Sequence, residues 1–104
     1  MARPYIIPSD ELLKNPDLQE IFKLISTLKT PKECEIFFSD AFSDRELVAL
    51  MKRWQAVKMI AQKIPYRQIA KDLGISTATV TRAAYSLYQE RGGWQMLLRK
   101  VGLM

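Results

Sequence analysis

The groups able to do chemistry in this chain gather in one run, Ser76-Thr-Ala-Thr-Val-Thr-Arg82, with Arg67 and Lys71 shortly before it. There is no histidine, and Cys34 is the one cysteine. No disulfide can form within the chain, and no thiolate–imidazole metal set is available. Acid–base catalysis usually recruits histidine or closely placed carboxylates. Asp72 and Glu90 stand isolated in the basic half, and Asp44 and Glu46 read as helix-start residues. Gly92-Gly93 is only a pair and Gly74 a turn, so no Gly-rich phosphate loop is present. An enzyme is therefore not expected. Threonine and the cations offer recognition instead. A threonine hydroxyl can bond a base edge or a phosphate, and Ala78 or a threonine methyl can touch a thymine methyl. Arginine and lysine neutralise phosphate.

Two helices must position those groups. Ile69, Ala70 and Leu73 share one face of a short helix. Gly74 follows, where a left-handed residue would end it without a Cβ penalty. Ile75 can pack back into the angle between helices, and Ser76 is a good N-cap. Val80, Ala83, Ala84 and Leu87 then recur at helical spacing. Ala70 and Ala83 are small enough to let the helices cross closely. The pattern predicts a helix-turn-helix over residues 66–87. Thr77, Ala78, Thr81, Arg82 and Tyr85 fall largely off the apolar face of its second helix. Arg67 and Lys71 share an outer face of the first. Arg67 is assigned to a base edge or a phosphate, and Lys71 to phosphate. The alternative from spacing alone is an αα-hairpin that packs a core, or a helical protein-interaction module using the same shape as scaffold.

The charge supports the nucleic-acid reading. Residues 1–42 hold five Lys/Arg against seven Asp/Glu, whereas residues 43–104 hold eleven against four. The basic half is the one with the helix pair, as a binder of double-stranded DNA requires. At 104 residues the chain reads as one domain, 1–104. A core of that size is modest, so association would aid stability. No apolar run is long enough for a signal peptide or a membrane span, so a soluble cytoplasmic protein is expected.

Residues 1–8, with Pro4 and Pro8, read as an extended arm whose Tyr5, Ile6 and Ile7 would lie on the body or on a second chain. Ser9 or Asp10 can cap a short turn through Leu13. Asn15-Pro16 opens a helix with an apolar stripe of Leu18, Ile21, Phe22, Ile25 and Leu28. Thr30-Pro31-Lys32-Glu33 is a capping box, and a short helix to about Phe38 should bury Cys34, Phe37 and Phe38. Ser43-Asp44-Arg45-Glu46 repeats the box and opens a long helix to about Gln62. Its stripe is Leu47, Leu50, Met51, Trp54, Val57 and Ala61. Trp54 is taken as core, and Lys52, Arg53 and Lys58 lie off the stripe. Pro65 breaks this helix, and Trp94, Leu97, Leu98 and Val101 make a last amphipathic one after Gly92-Gly93. About six helices and no strand result. Helices this short need tertiary or intersubunit partners.

Phe42 to Arg53 resembles the start of the central helix of the Trp repressor superfamily. Arg67, Ile69, Leu73-Gly74, Ala78-Thr79-Val80-Thr81-Arg82 and Ser86-Leu87 resemble its helix-turn-helix. More narrowly, the sequence looks like the YerC/YecD branch. The resemblance implies an all-α, intertwined homodimer that represses transcription by binding operator DNA. It implies DNA contacts at Arg67, Thr77, Ala78, Thr79 and Thr81. It also implies a small-molecule corepressor, L-tryptophan or another, at positions matching Ser43, Arg53, Thr79, Arg82 and Ser86. Arg53 and Arg82 would flank an indole ring, and Arg82 would also meet the carboxylate. Three departures bear on that ligand. Ala83 replaces a glycine, so its methyl narrows the pocket. The loop after the central helix is one residue shorter. Tyr85 and Trp54 replace smaller or polar residues.

Overall fold

The computed structural model describes residues 8–104. Among them are seven helices and no strand. The additional helix is the Ser9-led turn, which closes into a helix of its own, α1 (Asp10–Leu13). The expected N-terminal arm lies outside the described residues except for Pro8, which is exposed. The described chain forms two compact units, one ending at Glu46 and one beginning at Leu47.

In the first unit, local hydrogen bonds write the helix starts. Ser9 Oγ accepts from the Leu12 N–H, and Asn15 Oδ1 accepts from the Asp17 N–H to open α2 (Pro16–Ile25). Proline at N1 costs nothing there, because that N–H has no helical partner. α2 ends three residues before Leu28. Ser26 Oγ and Thr27 Oγ1 donate to the Lys23 and Leu24 carbonyls, and the Leu28 N–H bonds the Ile25 carbonyl in a tightened last turn. Thr30 caps α3 (Pro31–Ala41). Its Glu33 reaches back to the Lys29 N–H, 2.8 Å, one residue before the N-cap that the sequence pattern suggests. α3 runs past Phe38 to Ala41, which brings Phe42 into a stack on Phe38 with centroids 5.2 Å apart.

No described residue of this unit is buried. Ile21 and Phe22 of the α2 stripe are exposed, and Phe37 and Phe38 are only half-buried. Cys34, expected inside, is exposed. One copy of the chain supplies no layer over these faces, so apolar spacing alone does not bury them.

The second unit holds the core. α4 (Asp44–Ala61) opens on the Ser43 box, with the Ser43 N–H on Glu46 Oε1 at 2.9 Å and the Glu46 N–H on Ser43 Oγ at 3.2 Å. It closes through Lys63, a non-glycine residue at φ 65, with the Ile64 N–H on the Met59 carbonyl at 3.1 Å. α5 (Tyr66–Leu73), α6 (Thr77–Gln89) and α7 (Gly93–Lys100) follow. Ala56, Val57 and Ile60 of α4 meet Ile69 and Ala70 of α5, Val80, Ala83, Ala84 and Leu87 of α6, and Leu98 of α7 in one buried cluster. Gln95 Nε2 donates to the Leu87 carbonyl, 2.9 Å, and fastens α7 to the end of α6. Among the described residues no helix is long and apolar enough to cross a membrane.

Candidate nucleic-acid interface

α5 and α6 meet through a tight corner. Gly74 takes the left-handed conformation, φ 64, and the Ile75 N–H closes on the Ala70 carbonyl at 3.0 Å. Ile75 then turns inward against the core cluster. Ser76 Oγ accepts the Thr79 N–H at 3.1 Å and so starts α6. Ile69, Val80 and Leu87 have no exposed surface. This seam holds α6 rigidly against α5.

The opposite sides of both helices face water. Arg67 and Lys71 are exposed one turn apart on α5. Beside them Gln68 Nε2 donates to Asp72 Oδ1, 2.6 Å, which occupies that carboxylate with a neutral donor and leaves the cations outward. Thr77, Ala78, Thr81 and Arg82 of α6 are exposed as well. Thr81 Oγ1 donates to the Thr77 carbonyl, 3.0 Å. Thr79 differs from its neighbours. It is half-buried, and its hydroxyl lies 2.9 Å from Ser76 Oγ.

A cavity of about 210 Å³ lies between α4 and α6, lined by Ala49, Lys52, Arg53, Ala56, Ile75, Thr79 and Ala83. Of the residues assigned to a ligand, Arg53 and Thr79 border it. Arg82 and Ser86 do not, and Arg82 is exposed. Ser43 belongs to the other unit, where it caps α4. Ala83, only 2% exposed, forms part of the wall with its methyl. Sequence reasoning passed over Lys52, Ala49 and Ala56 as lining residues. The signal was present: 49, 52, 53 and 56 recur at i, i+3, i+4 and i+7 and so share a helix face.

A second depression on this unit is almost wholly apolar. Leu47, Leu50, Met51 and Trp54 of α4 line it with Trp94, Leu97 and Val101, enclosing about 420 Å³. Trp54 stacks on Trp94 at 6.1 Å and carries Lys58 Nζ 5.6 Å from its ring centroid. The half-buried Trp54 thus packs against the core, as expected, while its rim stays open.

An all-helical unit that fixes a capped second helix across a first, with a basic and hydroxyl-bearing outer face, is a helix-turn-helix protein. The chain belongs to the Trp repressor family: residues 16–102 match the family of the Trp repressor protein. It is 30% identical over 89 residues to YerC, an uncharacterised protein of Bacillus subtilis strain 168, covering 86% of each chain. Two solved structures share the fold. One is a TrpR-like protein from Eubacterium eligens ATCC 27750, at TM-score 0.85 and 29% identity, with 91% of this chain and 98% of that one covered. The other is a Staphylococcus aureus protein named for the Trp repressor, at TM-score 0.84 and 34% identity, with 94% and 98% covered.

Proposed function

We propose that the protein is a sequence-specific DNA-binding transcriptional regulator, a repressor by kinship, acting as a homodimer with α6 in the major groove. The observation that carries this reading is the outward strip of Arg67, Lys71, Thr77, Ala78 and Thr81 on a helix pair locked by a buried seam. The cations meet phosphate, and the small first turn of α6 lets the helix approach base edges. Two copies related by a two-fold axis would present two such helices to half-sites one helical turn apart. The cavity beside Arg53 and Thr79 is where a small-molecule effector would bear on α6, since Thr79 both lines it and touches the Ser76 cap. Ala83 reduces the room there, and L-tryptophan is the first ligand to test.

Selection from a random duplex library, with and without L-tryptophan, tests the proposal. The expected result is an enriched palindrome whose affinity falls steeply with salt. Arg67→Ala should weaken binding to it by about tenfold or more, the order expected for one lost base or phosphate contact. No enrichment in either arm, together with co-purification of a protein partner, would replace the regulator by a helical interaction module.

A further inference from the structure

On the reading that α6 enters the major groove, the helix itself decides what Thr81 can say to a base. A threonine hydroxyl has one proton and two acceptor lone pairs. Thr81 spends the proton on the Thr77 carbonyl, at 3.0 Å, while its side chain stays exposed. Outward it is an acceptor only. On the same face the exposed Thr77 hydroxyl can donate as well as accept, so it does not carry this one-way polarity. Arg67, Lys71 and Arg82 carry donors alone. Thr79 is half-buried and shares a proton with Ser76. α6 contains no Asp, Glu or Asn, and its one Gln is the last residue.

In the major groove the donors are the exocyclic amino groups, adenine N6 and cytosine N4. Guanine N7 and O6 and thymine O4 are acceptors. Every base pair carries one such amino group, on one of its strands. We infer that Thr81 accepts from it, adenine N6 or cytosine N4, at one position of each half-site and so fixes which strand carries the amino-bearing base. Guanine or thymine there sets acceptor against acceptor and leaves both unpaired, and an unpaired polar group costs more than a made bond gains. Thr81 is thus a specificity-determining residue whose polarity is written by a backbone carbonyl one turn earlier.

The test is parallel duplex selection with the full-length wild type, Thr81→Ser and Thr81→Val, followed by binding to the wild-type site. Thr81→Ser keeps the hydroxyl and should keep the adenine-or-cytosine preference. Thr81→Val should flatten it at that one position and weaken binding about tenfold, the scale of one lost hydrogen bond. Replacing the selected base by its analogue without the amino group (purine for adenine, 2-pyrimidinone for cytosine) should cost the wild type the same factor and cost Thr81→Val nothing. This last arm on wild-type protein also decides the matter if a variant folds poorly. An unchanged Thr81→Val preference, or a wild type that loses nothing when the amino group at the altered position is removed, overturns the inference and leaves DNA reading standing. No enrichment by the wild type overturns the regulator proposal and this inference with it.

Discussion

Lys63 holds a left-handed backbone, φ 65, at the end of α4. Its Cβ crowds the carbonyl there, a cost that glycine escapes. Lys63→Gly should therefore raise stability by about 0.5–1 kcal/mol and lift the melting temperature by a few degrees in a thermal scan. Ser76 is the opposite case, a residue already well chosen. Its oxygen is the acceptor for the Thr79 N–H. Ser76→Ala should cost about 1 kcal/mol in denaturant unfolding, and should weaken DNA binding by loosening the first turn of α6. Gly74 and Ser76 were legible from type and position, because glycine and serine have special local chemistry. Lys63 was not: left-handed residues announce themselves as Gly or Asn, and a lysine there carries no mark. The polarity of Thr81 was equally hidden, since a sequence shows a hydroxyl but not where its proton goes.

Among elements, α4 has the clearest start signal. The Ser43 backbone N–H and hydroxyl hold the Glu46 carboxyl below the ordinary glutamate range. A carboxyl so depressed binds its proton more weakly in the folded state. Its stabilisation is present above the usual glutamate value, about 4.3, and is lost as pH falls through the lowered folded value. Glu46→Gln should melt slightly below the wild type at pH 7, and the gap should close in acid. The capping boxes at Thr30 and Ser43 were both readable, though the Glu33 carboxylate accepts the Lys29 N–H and not that of Thr30, whose hydroxyl still accepts the Glu33 N–H. Helix ends were less so. α2 stops at Ile25 because two hydroxyls take its last carbonyls, and α3 passes Phe38 because nothing local stops it before Phe42. The cavity face of α4 was read only at Arg53, for another reason. Its Ala49, Lys52, Arg53 and Ala56 lie beside a stronger apolar stripe, and the stripe dominates any periodicity.

The molecule as a whole has an uneven interior. Among the described residues all ten buried ones sit in the second unit, and the first has none. Its Ile21, Phe22 and Ile36 remain exposed, as do Leu50, Met51, Leu97 and Val101 around the apolar depression of the other unit. Surface of this kind marks association. If a homodimer covers it, folding and assembly are one reaction, and the melting temperature should rise with protein concentration. A melting point independent of concentration over a hundredfold range would remove the dimer. The stripes were visible in sequence, but what lies across from them is a property of another chain, and hydrophobic spacing says nothing about that.

The stacked pair Trp54 and Trp94 has an optical consequence. They are the chain's only tryptophans, and both edge the apolar depression. Intrinsic fluorescence is therefore a built-in gauge of one event. If a second copy fills that depression, emission should shift to the blue on assembly and drift red on dilution.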